Sequence, residues 1–199
     1  EPQGVEGADP LRRRERFALA VSVLLICGAT LVTHWPALSA TAYSFDDAQY
    51  LLKNPLVQEP GWDSARRFLG EVLEPSTVGG YYQPLAMISL MLDYAIGGRP
   101  EYLRPFHRTS LALHVLNTGL VAVVLYLLFG RPWPAALTAL LFGVHPLTVE
   151  PIPWIGERKT LLGAFFALVC ITFFVSYARR SGRGKKSLYV ASLVAFLLA

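Results

Sequence analysis

Residues 106–129 read FHRTSLALHVLNTGLVAVVLYLLF, an apolar run long enough to cross the roughly 30 Å hydrocarbon core of a bilayer as a helix. The chain of 199 residues is 53% hydrophobic and 16% charged, and it contains several such runs. This composition predicts an all-α polytopic membrane protein. The net charge of +4 does not indicate nucleic-acid binding, because the basic residues stand at the ends of the apolar runs and do not form one face.

Five apolar segments are predicted as transmembrane helices, at about 17–33, 106–129, 133–144, 161–177 and from 188 onward. The third is short and runs into His145-Pro146, so we expect it to continue as an irregular segment buried in protein. The fifth is still apolar at Ala199, and the chain does not begin with Met. We therefore expect these residues to be part of a longer protein, truncated at the C-terminus.

Basic residues near the ends of the apolar segments predict the orientation. They cluster before the first span and between the fourth and fifth, as Arg12, Arg13, Arg14, Arg16, Arg179, Arg180, Arg183, Lys185 and Lys186. The positive-inside rule places both clusters in the cytoplasm. Residues 1–16 then form a cytoplasmic basic tail and residues 17–199 a transmembrane region, with an outer loop at 36–105 and an outer segment at 145–159. The predicted location is a bacterial inner membrane.

The long outer loop is predicted to be structured. Apolar residues recur at helical spacing on one face of 61–73, as Trp62, Ala65, Phe68, Leu69 and Val72. This pattern is typical of a helix that lies in the membrane interface. The apolar run 85–96, interrupted by Asp93, predicts a second interfacial or re-entrant helix.

An acidic pair, Asp46-Asp47, follows the first span in the stretch Ser44-Phe45-Asp46-Asp47-Ala48-Gln49-Tyr50. Carboxylates this close to a bilayer are costly, which favours a functional role such as a general base. A solvated turn or a helix N-cap is the structural alternative. A metal site is a third interpretation, although the sequence has no ligand cluster at a recognisable spacing that would complete it.

The outer segment 145–159 has three prolines, Pro146, Pro151 and Pro153, which prevent a continuous helix. The irregular backbone leaves His145 and Glu150 at the membrane surface, with Arg158 and Lys159 nearby. Such a place could hold a lipid-linked phosphate, because Arg binds phosphate oxygens in a bidentate manner and Lys acts as a point charge. Alternatively, the two basic residues anchor the fourth span by snorkelling, which we prefer for Lys159 taken alone.

The second span carries a polar stripe at positions i, i+3, i+7 and i+10, formed by His107, Ser110, His114 and Asn117. These side chains share one helix face, which must point to protein or to a cavity. We expect them to form interhelical hydrogen bonds in preference to acting in catalysis.

Taken together, the motifs resemble the N-terminal part of the polytopic GT-C glycosyltransferases. The resemblance is to the protein O-mannosyltransferase-like, TMTC-like group, which is often joined to tetratricopeptide repeats. It rests on Phe45-Asp46-Asp47-x-x-Tyr50, Asn54-Pro55, Tyr82-Gln83-Pro84-Leu85, Asp93, Phe106-His107, Leu113-His114, Asn117, His145-Pro146-x-x-x-Glu150, Trp154 and Glu157-Arg158-Lys159.

The resemblance implies an inverting transferase that moves a mannose-like sugar from a polyprenyl-phosphate donor to an acceptor at the outer membrane face. It assigns the catalytic base to Asp46, with Asp47 as its neighbour, and a donor-phosphate contact to Arg158. We add Lys159 and His145 to the phosphate site, and Glu150, His114, Asn117 and Tyr82 as supporting residues. The chain departs from the family at Gln83, where an arginine is common, and at Ser110, where an asparagine is common.

The expected partners are membrane lipid, the lipid-linked sugar and a protein or glycan acceptor. No metal ligand is assigned, and a divalent metal is left open as a cofactor. The alternative function is a non-catalytic membrane subunit that packs in a larger complex, and a small-solute transporter is a third interpretation. A hydrogen-bonded Asp46 beside Arg158, in a cavity open to lipid, would favour the enzyme.

Overall fold

The computed structural model describes residues 10–41, 46–72, 77–79, 81–182 and 184–199. Within these ranges the chain forms helices and turns, with no β-strand beyond one isolated bridge between Arg99 and Tyr102. The predicted all-α class is therefore confirmed. Residues 1–9 of the predicted tail, Ser44 and Phe45 of the acidic motif, and Arg183 lie outside the described residues.

The described part of the chain divides into long helices and a set of shorter outer ones. The α-helices are α1 (Pro10–His34), α2 (Pro55–Gln58), α3 (Trp62–Gly70), α4 (Pro84–Ala95), α5 (Arg104–Phe129), α6 (Pro132–Val144), α7 (Arg158–Arg179) and α8 (Lys185–Leu198). Single turns of 3₁₀ or π-helix lie at Trp35–Ser39, Ala48–Leu52, Pro146–Thr148 and Ile155–Glu157. The outer segment with its three prolines thus forms no continuous helix, as predicted.

Three helical stretches of the described chain are long and apolar enough to cross a bilayer, namely Arg13–Ser39, Arg104–Phe129 and Ile155–Arg179. The third and fifth predicted spans are the helices α6 and α8, of 13 and 14 residues. At about 1.5 Å per residue, α6 covers about 20 Å of hydrocarbon, and α8 continues to Leu198, next to the last residue of the sequence. All five predicted segments are helical, three of them meet the length criterion, and spanning by α6 and α8 stays a prediction.

Helix α5 lies at the centre, in contact with α1, α4, α6 and α7. Its polar stripe is buried, and its side chains bond to three other parts of the chain: the residues after α1, the end of α6 and the first turn of α7. His107 Nε2 lies 3.1 Å from the Ala40 carbonyl, Ser110 Oγ accepts from Arg158 Nε at 3.2 Å, His114 Nε2 lies 2.9 Å from the Gly143 carbonyl, and Asn117 Nδ2 donates to the Leu161 carbonyl at 3.0 Å. The predicted interhelical hydrogen bonds are confirmed, and they hold the outer segments in place around α5.

The outer loop forms a hydrophobic core, which also includes Phe106 at the start of α5 and Ile155 just before α7. The core is formed by Tyr50, Leu51, Val57, Phe68, Val78, Met87, Leu90, Met91, Leu103, Phe106 and Ile155. Phe106 lies in the first turn of α5 and Ile155 shortly precedes α7, so the loop is seated on the outer ends of both helices. This packing brings the first outer loop against the second outer segment.

The apolar side chains of α3 divide between two environments. Phe68 is fully buried in the outer-loop core, whereas Trp62 is 75% exposed and Leu69 is 48% exposed. The predicted amphipathic helix is present as α3, and its apolar face packs at Phe68 against the outer-loop core. Contact of the exposed residues with the membrane interface stays a prediction.

Close packing of α1, α5 and α6 depends on Gly143, and this gives a first testable prediction. A Cβ atom at Gly143 would overlap Thr30 Oγ1 and lie 2.7 Å from Thr118 Cγ2, and both threonines are fully buried. We expect Gly143→Ala to reduce the free energy of unfolding by about 1–3 kcal/mol, because the helices must move apart.

The measurement is thermal unfolding of the purified protein in detergent. Gly28→Ala is the matched control, since a Cβ atom at Gly28 on α1 would meet no atom within 4 Å. Equal melting temperatures for the two variants would contradict the prediction.

Candidate functional site

The two carboxylates of the acidic motif meet the outer segment that precedes α7. Trp154 donates from its indole Nε1 to Asp46 Oδ1 at 3.0 Å, and the Gly156 backbone amide donates to Asp47 Oδ1 at 2.9 Å. These pairs join residues more than a hundred positions apart, with sequence separations of 108 and 109. The structure therefore brings the acidic motif into contact with the outer segment.

The carboxylates differ in their access to a substrate. Asp47 is fully buried, and its oxygen is bound to the Gly156 amide. Asp46 is half-buried, and the indole of Trp154 engages its Oδ1 atom. A general base must reach the proton that it removes, so this geometry suits Asp46 for that role and Asp47 for holding the two segments together.

Lys159 lies beside the same turn. Its Nζ atom donates to the Gly156 carbonyl at 2.9 Å, lies 3.5 Å from the Tyr50 hydroxyl and forms an ion pair with Glu157 at 3.0 Å. The ammonium group also stands 5.5 Å from the Tyr50 ring centre and 5.6 Å from that of Tyr81. The side chain remains 29% exposed, so it can still meet an anion.

A cavity of about 500 Å³ opens next to Lys159. Its polar lining residues are Tyr81, Tyr82, Gln83 and Lys159. Its apolar lining residues come from α3, α4, α7 and the end of α8, and they are Leu69, Pro84, Leu85, Ala86, Leu162, Gly163, Leu197, Leu198 and Ala199, the last residue of the sequence. A cation, polar aromatic groups and aliphatic side chains in one lining suit an amphipathic ligand with an anionic head.

Arg158 does not line this cavity. It is fully buried and donates to Ser89 Oγ at 2.6 Å, to Asp93 Oδ2 at 2.8 Å and to the Phe106 carbonyl at 2.7 Å, in addition to Ser110. The structure therefore argues against the predicted contact of Arg158 with a donor phosphate, because its guanidinium group is occupied within the protein. The guanidinium group bonds to Ser89, Asp93, Phe106 and Ser110 and not to Asp46, and Lys159 is a cation that lines the cavity.

Asp93, which interrupts an apolar run and belongs to the family motifs but has no predicted role, is the partner of Arg158. Its other oxygen, Oδ1, accepts from Thr109 Oγ1 at 2.6 Å. Burial raises the pKa of the Asp93 carboxyl, while the positive charge of Arg158 and the hydrogen bonds oppose that rise. The pair ties α4 to α7, and Ser110 and Phe106 add α5 to the same cluster.

The remaining predicted site residues divide into three places. Tyr82 lines the cavity and donates from its hydroxyl to the Leu69 carbonyl at 3.2 Å. His145 and Glu150 are exposed on the outer segment, where His145 Nδ1 accepts from the Leu147 amide at 3.2 Å, and neither residue lines the cavity. The predicted phosphate contact of His145 therefore has no support in this arrangement.

His114 and Asn117 lie deeper, among the helices. Both side chains are buried, and His114 shares the Gly143 carbonyl with His34, whose Nε2 lies 2.8 Å from the same oxygen. These hydrogen bonds hold α5 against α6 and α7, and a supporting role of both residues in the site stays a prediction.

No group of three or more His, Cys, Asp or Glu side chains within the described ranges could hold a metal ion. Lys159 meets the acidic turn at Gly156, the residue that both carboxylates also approach.

Residue-level reasoning does not find several members of the site. Tyr50, Gln83 and Trp154 belong to the family motifs but are given no role in the site, and Gly156 carries no signal. Gln83 Nε2 donates to the Tyr50 hydroxyl at 2.8 Å, so Tyr50 links Gln83 to Lys159. The spacing Asp46-Asp47-x-x-Tyr50 is a usable signal, since all three side chains of that turn reach the outer segment or the start of α7.

Comparison with known proteins identifies relatives over most of the chain. It is 31% identical over 191 residues to the protein O-mannosyl-transferase TMTC1 of Mus musculus, in an alignment that covers 91% of this chain and 19% of that protein. It is 28% identical over 173 residues to Tmtc2 of Drosophila melanogaster, also named a protein O-mannosyl-transferase, with 84% and 18% covered. For TMTC2 of Homo sapiens the identity is 26% over 143 residues, with 70% and 17% covered.

The chain thus spans about a fifth of the length of the curated relatives that it matches. No protein-family model matches the chain, and no solved structure matches it.

Proposed function

We propose that this chain carries the acidic outer loop of a membrane glycosyltransferase. The proposal starts from its relationship to the TMTC-like branch of the protein O-mannosyltransferases, which its motifs predict and its relatives confirm. The chain is an integral membrane protein. The proposed reaction transfers a mannose-like sugar from a polyprenyl-phosphate donor to a hydroxyl of a protein or glycan acceptor. Asp46 is the proposed base and Lys159 the proposed phosphate contact.

The observation that carries the proposal is the meeting of Asp46 and Lys159 at one residue, Gly156. A Cβ atom at Gly156 would lie 2.8 Å from Asp46 Oδ1, and the Gly156 carbonyl accepts from Lys159 Nζ. A partly buried carboxylate and a partly exposed cation thus meet at Gly156, and of these two only Lys159 lines the cavity. A base and a phosphate contact are the two groups that this transfer requires.

The proposed chemistry is an in-line displacement at the anomeric carbon. Asp46 removes the proton of the acceptor hydroxyl as its oxygen forms a bond to the anomeric carbon. The bond from that carbon to the phosphate oxygen breaks, the electron pair stays on phosphate, and polyprenyl phosphate leaves. Attack from the face opposite the phosphate inverts the configuration, and Lys159 stabilises the charge that develops on the leaving phosphate.

The apolar wall suits the lipid part of such a donor. Leu85 on α4 and Leu162 on α7 line the cavity and also line an adjoining apolar groove of about 360 Å³ that continues between these helices. Burial of hydrocarbon there would add to the attraction between Lys159 and the phosphate.

The orientation and the type of membrane belong to the proposal as well. Arg13, Arg14 and Arg179 lie at the ends of helices that are opposite to the acidic turn, which favours a cytoplasmic N-terminus and an outer position for Asp46. A bacterial inner membrane stays a prediction.

A non-catalytic membrane subunit is the second candidate function. Its support is that Arg158 and Asp47, both expected at the reaction centre, serve internal contacts in the structure. A transfer assay in membranes, with the full-length gene product and a radiolabelled polyprenyl-phosphate sugar, separates the two functions. Transfer supports the enzyme, whereas stable incorporation into a complex with no transfer from any of several donors supports the subunit.

Removing the charge of Lys159 gives a second testable prediction. We expect Lys159→Gln to raise the KM for the polyprenyl-phosphate donor about tenfold to hundredfold, because a hydrogen bond to a charged group contributes about 1.5–3 kcal/mol. Lys159→Arg should recover most of the affinity, since it keeps the positive charge.

The matched control is Lys53→Gln, which changes an exposed lysine on the same outer loop. A KM unchanged by Lys159→Gln, in an enzyme that still transfers sugar, would show that phosphate binds elsewhere.

A further inference from the structure

The indole of Trp154 is the side chain that holds the open carboxylate of the acidic motif. Its Nε1 group donates to Asp46 Oδ1 at 3.0 Å, across 108 positions of sequence. Trp154 lies two residues before Gly156 and immediately before the turn Ile155–Glu157 that leads into α7. The hydrogen bond therefore connects the first outer loop to the segment that carries Lys159.

Gly156 packs closely against the hydrogen bond between Trp154 and Asp46. A Cβ atom at Gly156 would lie 2.8 Å from Asp46 Oδ1, 3.1 Å from Trp154 Nε1 and 3.1 Å from Tyr50 Cε2. Only a residue without a side chain allows Asp46, Trp154 and Tyr50 to approach the backbone together. The Gly156 amide meanwhile binds Asp47 Oδ1, so the backbone of the acidic turn cannot slide along the outer segment without losing this bond.

These contacts decide how the Asp46 carboxylate is presented. An aspartate side chain that is half-exposed would otherwise sample several rotamers. The indole N–H engages Oδ1, and Gly156 packs against both groups of this hydrogen bond. Among the described residues no hydrogen bond to Asp46 Oδ2 is formed, which leaves that oxygen for a substrate.

We infer that Trp154 is a positioning residue for the Asp46 base, and that its indole N–H selects the orientation in which Oδ2 receives the proton of the acceptor hydroxyl. This inference rests on the proposed function. It assigns to Trp154 a role that a purely aromatic side chain cannot fill, because phenylalanine has no N–H donor.

The first test is a double-mutant cycle on the full-length protein, with sugar transfer as the readout. Trp154→Phe should lower kcat about tenfold, in keeping with the loss of a hydrogen bond to a charged group. In an Asp46→Glu background, where the carboxylate is displaced from the indole, the same change should lower kcat by less than about twofold.

A tenfold loss in both backgrounds would show that Trp154 only supports the fold and would overturn the inference. Trp62→Phe, on an indole that is 75% exposed on α3, is the matched control and should leave kcat unchanged in both backgrounds.

The second test does not depend on activity. In protein with ¹⁵N-labelled tryptophan, in nanodiscs, the indole resonance that Trp154→Phe removes should shift in Asp46→Asn and stay in place in Asp63→Asn. If the chemical shift of that resonance is the same in Asp46→Asn as in wild type, and wild type transfers sugar, the inference fails and the proposed function stands. If the resonance shifts but wild type transfers no sugar from any donor, the proposed function fails, and the contact is only structural.

Discussion

Asp46→Asn is expected to abolish sugar transfer, lowering kcat by about 10²–10⁴-fold at an unchanged level of folded protein. The amide that replaces the carboxylate cannot accept the acceptor proton, and general-base catalysis contributes on that scale. The measurement is transfer from a radiolabelled polyprenyl-phosphate sugar in membranes that contain the full-length protein. Trp154 can still donate to the amide oxygen of the substituted side chain, so the acidic turn should keep its contact with the outer segment.

The neighbouring carboxylate makes this prediction specific. Compared with Asp46→Asn, Asp47→Asn should reduce sugar transfer less and the free energy of unfolding more. The reason is that Asp47 is fully buried and its Oδ1 accepts a hydrogen bond from the Gly156 amide. Asp63→Asn, which alters an exposed carboxylate on α3, is the control for a general change of charge. Equal transfer by wild type and Asp46→Asn would remove Asp46 as the base.

The largest effect on stability is expected at the buried ion pair between Arg158 and Asp93. Asp93→Asn should reduce the free energy of unfolding by about 3–5 kcal/mol, because it leaves the fully buried Arg158 guanidinium without its counter-charge. The helices α4, α5 and α7 meet at this pair, so their packing should loosen together. The measurement is thermal or denaturant unfolding of the purified protein in detergent.

A double variant distinguishes lost charge from lost packing. Asp93→Leu combined with Arg158→Met should be considerably more stable than Asp93→Asn alone, since it removes both buried charges and keeps apolar volume. Arg108→Met, at an exposed arginine of α5, is the matched control. If Asp93→Asn lowers the free energy of unfolding no more than Arg108→Met does but raises the KM for the donor, the prediction is contradicted. Arg158 would then act as a phosphate contact and not as a structural ion-pair partner.

The contrast between Arg158 and Lys159 illustrates what sequence can and cannot supply. Sequence reasoning predicts both at a phosphate site, because both follow the proline-rich outer segment. Adjacent residues at the start of a helix point in directions about 100° apart, so only one of them can face a given cavity. Asp93 on α4 forms a buried ion pair with Arg158, which leaves Lys159 to line the cavity. These two partners are 65 residues apart, and no periodicity in the sequence predicts such a pair.

The acidic pair shows the same limit. The motif predicts a carboxylate at the outer face, and the family resemblance alone favours Asp46 over Asp47 as the base. Asp47 lies directly before the π-helical turn Ala48–Leu52 and points into the protein, where the Gly156 amide meets it. Asp46, one residue earlier, remains half-exposed.

The sequence by itself determined the properties that depend on neighbours along the chain. Apolar runs of membrane length predicted the long helices, and the spacing of His107, Ser110, His114 and Asn117 predicted a buried polar face on α5. Both follow from helix geometry and from the cost of polar groups in hydrocarbon. Only the tertiary structure decided which carboxylate stays open, which cation lines the cavity and which indole holds Asp46. Those choices depend on contacts between segments distant in sequence, where packing and buried hydrogen bonds compete for the same side chains.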